Sequence, residues 1–139
     1  MASIRKHVTT DVVTLEASTP SREAARIMSE KKIGSIAVTE GGRIIGLVTE
    51  RDLVGAVLAK GADGSAPVRS AMRDGVPRIS PEAQEGEAAD LMRDHFTRHL
   101  LVEEKGKVVG VVSMRDVIQL MLDEKQFLIS QLNTYIFGR

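Results

Sequence analysis

The sequence predicts a mixed α/β (α+β) fold built from two tandem β-α-β-β-α units. Three observations predict it: an internal repeat, strand-length apolar runs meeting at glycine turns, and helical apolar spacing on either side of each hairpin. The repeat is gapless at an offset of 64, from Asp52 to Asp116. It sets Glu23-Ala24-Ala25-Arg26-Ile27-Met28 against Glu87-Ala88-Ala89-Asp90-Leu91-Met92, and Gly42-Arg43-Ile44-Ile45-Gly46-Leu47-Val48 against Gly106-Lys107-Val108-Val109-Gly110-Val111-Val112. The lead-in segments correspond too, residues 4–12 with 68–76, so the second copy begins inside an apparent linker, GADGSAP at 61–67. The chain accordingly divides into residues 1–66 and 67–139, the second copy ending in an extended helix.

Each copy opens with a short extended piece, at 12–15 and 76–79. A helix follows. In the first copy Thr19-Pro20 offers an N-cap and a proline at the first helical position, where its missing N–H costs nothing, and Ala24, Ile27 and Met28 give the apolar face. The second copy lacks that cap, and Glu82 and Glu85 place negative charge near the helix start, where the helix dipole favours it. Ile36-Ala37-Val38, the Gly41-Gly42 turn and residues 44–48 read as a hairpin, mirrored by Leu100-Leu101-Val102 and residues 108–112. A second helix closes each copy, over about 50–59 and from about 114 towards 135. Val117, Met121, Leu128 and Leu132 keep a helical stripe along the longer one; it folds back on its own chain or forms a dimer interface. Met28, Met72 and Met92 fall on apolar faces as core filler.

Composition narrows the function. With 19 Lys plus Arg against 19 Asp plus Glu, no net field holds nucleic acid or an anionic membrane, so any anion site is local. The absence of cysteine excludes a disulfide framework and a thiolate metal site or nucleophile. His7, His95 and His99 lack metal-ligand spacing, and aromatics at 3% leave little to stack on nucleic-acid bases. No Ser-His-Asp order marks a hydrolytic site, and no enzyme is expected. The first residues lack a signal-peptide apolar core and no run reaches the roughly 18 apolar residues of a membrane span, so the expectation is a cytoplasmic protein.

The informative residues lie where the hairpin's second strand meets the second helix: Thr49-Glu50-Arg51-Asp52 and Ser113-Met114-Arg115-Asp116. A strand feeding a helix N-terminus presents free N–H groups to phosphate. Arginine adds bidentate donors, and an ionised Asp can accept both hydrogen bonds of a ribose diol. The same residues also spell capping boxes, in which hydroxyl and carboxylate satisfy the helix's own backbone. A plain cap requires no arginine, and the motif recurs in register with the repeat.

The doubled Gly-apolar-apolar-Thr/Ser-x-x-Asp motif, with residues 33–38 and 97–102 before each hairpin, resembles the tandem CBS-domain pair, or Bateman module, over nearly the whole chain. The ending, residues 131–136, is similar to that of small stand-alone bacterial members. The resemblance implies a pseudo-twofold module with two clefts, each shared between copies. The first would join Thr49, Arg51 and Asp52 to Val76, Pro77, Arg98 and His99; the second would join Ser113, Arg115 and Asp116 to Val12, Val13, Ile33, Gly34 and Ser35. It implies a regulatory module binding AMP, ADP, ATP or NAD(H), with no catalytic cofactor, working as a homodimer through the module's helices on a regulated protein the sequence does not identify. Arg98 and His99 would make the first cleft the tighter. Ala37 and Leu101 stand where the family often has proline. The alternative is a dimeric interaction module with vestigial, ligand-free clefts.

Overall fold

Each repeat builds a three-stranded mixed sheet with helices packed against it, in a computed structural model that describes residues 3–138. In the first, β1 (Thr14–Glu16) runs parallel to β2 (Ser35–Glu40), and β2 runs antiparallel to β3 (Arg43–Thr49). The second repeats the pattern with β4 (Arg78–Ile79), β5 (His99–Glu104) and β6 (Lys107–Ser113). Helix α1 (Ser21–Lys31) crosses from β1 to β2, and α4 (Glu85–Asp94) from β4 to β5. The expected mixed α+β class is the observed one.

The hairpins follow from turn chemistry. Gly41 and Gly42 both have positive φ, as do Lys105 and Gly106, which suits a two-residue turn matched to strand twist. One bulge lies in each hairpin, because Val38 pairs with Gly46 but Thr39 with Ile44, and Val102 with Gly110 but Glu103 with Val108. Central residues 36–38 and 100–102 are fully buried and their flanks are not. One core gathers Ala24, Met28, Ile36, Val38, Val48 and Val68; the other gathers Ile4, Ala88, Met92, Leu100, Val112 and Val117.

The helix ends depart from expectation. Thr19 is not the cap: Pro20 holds the N-cap position with an extended backbone, and the Ser21 hydroxyl donates to the Ala66 carbonyl at 2.9 Å. The first repeat's closing helix is α-helical only as α2 (Glu50–Leu53), then widens into a π-helical turn over Val54–Leu58. Its counterpart α5 (Met114–Phe137) stays α-helical for 24 residues.

Packing and sequence repeat divide the chain at different points. One compact unit is residues 11–76; the other combines residues 3–10 with 77–138. The lead-in of each repeat therefore belongs to the other repeat's unit. A short helix, α3 (Val68–Ala71), buries Val68 and Ala71 in the first core, and a 3-10 turn, Ile4–His7, buries Ile4 in the second. Each lead-in then crosses a strand edge: Leu47 bridges Arg73, and Thr9 bridges Val111 with N–H to O distances of 2.9 and 3.0 Å. Two motif glycines make room for them. A Cβ on Gly46 would lie 2.7 Å from Met72 Sδ, and one on Gly110 would lie 2.5 Å from the Thr9 carbonyl oxygen. Among the described residues no helix is long and apolar enough to cross a membrane.

Candidate functional site

Both strand-to-helix junctions fold as complete capping boxes. The Thr49 Oγ1 accepts from the Asp52 N–H at 3.2 Å while Asp52 Oδ2 accepts from the Thr49 N–H at 2.8 Å. At the second junction Ser113 Oγ accepts from the Asp116 N–H at 3.1 Å, and Asp116 Oδ2 accepts from both the Ser113 N–H and hydroxyl at 2.8 Å. The bonds made by Asp52 and Asp116 all fall on Oδ2. A carboxylate offers about four acceptor positions over its two oxygens, so Oδ1 remains available in each case among the described residues. Capping and holding a ligand hydroxyl are therefore compatible in these side chains. Both carboxylates are half-buried, which preorganises them without removing them from reach.

The hairpin register decides what stands beside each junction. Ser35 pairs with Thr49, and the Gly34 carbonyl accepts from the Glu50 N–H at 3.1 Å. Equivalently, His99 pairs with Ser113, and the Arg98 carbonyl accepts from the Met114 N–H at 2.8 Å. Within each repeat, therefore, Arg98 and His99 are backbone neighbours of Ser113, and Gly34 and Ser35 are backbone neighbours of Thr49. The apolar candidates line the adjoining edges. Val13 offers its carbonyl to Ala37 N–H at 2.9 Å and Pro77 offers its own to Leu101 N–H at 3.1 Å. Val12, Ile33 and Val76 are half-buried nearby in sequence.

Electrostatics separates the two junctions. At the first, the Glu50 carboxylate lies over Gly34, 3.7 Å from where a Cβ would stand. At the second the same two positions hold Met114 and Arg98. Arg51, Arg98 and Arg115 are exposed and make no side-chain hydrogen bond or ion pair among the described residues. Other arginines are engaged: Arg5 with Glu82 and Glu104, Arg69 with Glu40 at 2.7 Å, and Arg78 with Glu103 at 2.7 Å. The second junction thus combines two uncommitted guanidiniums with a helix N-terminus and no local carboxylate other than the cap.

A feature the sequence did not reveal lies on the helical side of the first unit. A groove of about 540 Å³ between α1 and the closing helix is lined by Met28, Leu53, Val54 and Val57 among others. Val54 and Leu58 are 56% and 76% exposed, and their repeat equivalents Ile118 and Leu122 are 51% and 54% exposed. Both units therefore present an apolar helix face at matching positions.

Comparison with known proteins is consistent along the chain. The CBS domain family model matches twice, at residues 4–59 and 68–123. The chain is 32% identical over 117 residues to the CBS domain-containing protein YhcV of Bacillus subtilis, covering 84% of each. Among solved structures it is similar to a putative signal-transduction protein with CBS domains from Burkholderia ambifaria, with TM-score 0.80 and 29% identity over 86% of this chain and 91% of that one. A CBS domain protein from Pyrobaculum aerophilum complexed with AMP matches with TM-score 0.72 and 27% identity, over 82% of this chain and 88% of that one.

Proposed function

The chain belongs to the CBS-domain family, as a tandem pair of CBS domains, and from that premise we propose that it is a regulatory module binding adenine nucleotides, AMP, ADP, ATP or NAD(H), at its strand-to-helix junctions. The observation that carries this reading is the Ser113–Asp116 cap at the start of a 24-residue helix, where the Arg98 carbonyl accepts from the Met114 N–H and the exposed Arg98 side chain has no hydrogen bond or ion pair among the described residues. The AMP held by the Pyrobaculum aerophilum relative supports the ligand class. In this reading the free Oδ1 of Asp116 accepts from the ribose diol. Arg98, Arg115, Ser113 and the helix N–H groups hold phosphate, and Pro77 of the same unit flanks adenine. Thr49, Arg51, Asp52, Gly34 and Ser35 form the weaker site, because Glu50 opposes an anion there. The order of affinities is the reverse of that expected from sequence.

Nucleotide occupancy regulates only if it binds two states of the module unequally, and the module acts as a homodimer through its apolar helix faces on a separate protein. Isothermal titration with AMP tests the reading. Charge-assisted hydrogen bonds contribute about 1.5–3 kcal/mol, so Arg98→Ala and Asp116→Asn are each expected to weaken the tighter site by tenfold or more, and Asp52→Asn to leave it within about threefold. Equal losses from Asp52→Asn and Asp116→Asn overturn the ordering. Absence of binding by every adenine nucleotide favours a second reading, an interaction module with vestigial clefts, for which the two closed capping boxes speak.

A further inference from the structure

Helix α5 carries more apolar surface than its own unit uses. Val117 and Leu120 are buried and Glu124 is half-buried, but from Lys125 to the helix end every side chain is exposed. Ile118, Leu122, Ile129, Leu132 and Ile136, flanked by Leu128 and Tyr135, are between 41% and 89% exposed. At 3.6 residues per turn these fall within an arc of about 140° that borders the buried side and runs roughly 27 Å along the helix. From Gln126 to Phe137 the sequence has no charged residue, and Lys125 is the one charge on the arc. The matched part of the family model ends at residue 123, so most of this surface lies beyond it.

We propose that the arc is covered by α5 of a second copy, in an antiparallel pair centred near Phe127. Two quantities point to a second copy. The exposed apolar side chains on the arc offer on the order of 800 Å², about what each partner contributes to a stable dimer. An uncharged ridge also matches itself, whereas a polar or acidic partner would gain nothing from it. Direction follows from Lys125. A parallel pair sets Lys125 against the partner's Lys125, while the antiparallel pair sets it against the partner's Ile129, where its stem packs and its ammonium reaches water. The same register places Ile118 opposite the partner's Ile136 and Leu122 opposite the partner's Leu132. This inference rests on the dimeric reading above and names its surface.

The chain lacks cysteine, so introduced cysteines report without background. Under oxidation, the Ile118→Cys, Ile136→Cys double variant is expected to run as a covalent dimer on a non-reducing gel, and Ile136→Cys alone as a monomer. The two positions are too far apart on one rigid helix to bridge within a chain. Adding Leu132→Glu, at a position 58% exposed, is expected to cut the cross-linked yield at least tenfold with an unchanged circular dichroism spectrum. If the double variant does not cross-link while light scattering finds wild-type dimers, this inference falls and the dimeric reading stands. A monomeric wild type overturns both, and co-sedimentation of that monomer with phosphatidylglycerol vesicles assigns the arc to a lipid surface instead. Cross-linking by Ile136→Cys alone overturns the antiparallel arrangement.

Discussion

Glu85→Gln should stabilise this protein at alkaline pH and do little in acid. Glu85 is the first residue of α4 and only 8% exposed. Its carboxyl is raised above the usual carboxylate range, first by its hydrogen bond with the Glu124 carboxyl of α5 and then by burial. Oε2 has no hydrogen-bond partner among the described residues. The two carboxyls hold together best with a proton between them. Because the folded pKa lies above the unfolded one, the stability from that proton is complete below the unfolded value. It is lost as pH rises through the folded one. At pH 8 the native state therefore carries a buried, poorly satisfied carboxylate beside another. Leaving such a group unsatisfied costs about 1–3 kcal/mol, and a glutamine amide can donate permanently to Glu124. We expect Glu85→Gln to raise the melting temperature at pH 8 by roughly 3–15 °C, given about 3–5 °C per kcal/mol for a chain of this size. At pH 4 the change should be near zero. Differential scanning calorimetry across that range measures it. A variant destabilised equally at both ends would refute the shared proton, because a purely steric role has no pH dependence.

Two further outcomes follow from the lead-in crossings and the caps. Gly110→Ala should destabilise by about 1–3 kcal/mol in urea titrations, since the added methyl meets the Thr9 backbone oxygen, whereas Gly46→Ala meets the flexible Met72 side chain and should cost clearly less. Equal costs would show that the crossings are not what requires glycine. Ser113→Ala should lose about 1 kcal/mol as an N-cap and also weaken AMP binding; a stability loss with unchanged titration heats would leave the hydroxyl as a cap alone.

What could be read from the sequence was whatever depended on neighbours in the chain. The glycine turns, the alternation into residues 36–38 and 100–102, and the 64-residue offset carry both hairpins because turn chemistry and burial act locally. Thr19 misled because Ser21 finds its partner at Ala66, 45 residues away, a contact no local pattern encodes. Likewise nothing near Gly110 announces Thr9, so a packing glycine read as part of a binding motif. Among the site residues, the hydroxyl and Asp pairs at 49/52 and 113/116 were legible by spacing. The backbone position of Arg98 at the Ser113 junction follows from the hairpin register with or without the bulge at Val109. The π-helical turn at Val54–Leu58 has no counterpart in α5 despite the matching alignment, and the structure supplies no local reason for it.

The exchange of lead-ins makes the duplication in sequence something other than a duplication in space. Residues 11–76 are threaded into the remainder as an insertion, entered at Thr10 and left at Pro77. Scission in the GADGSAP stretch would thus yield no pair of autonomous halves: one fragment would forfeit Val68 and Ala71 from its interior, the other Ile4. The chain passes between the two units twice, at 10/11 and at 76/77.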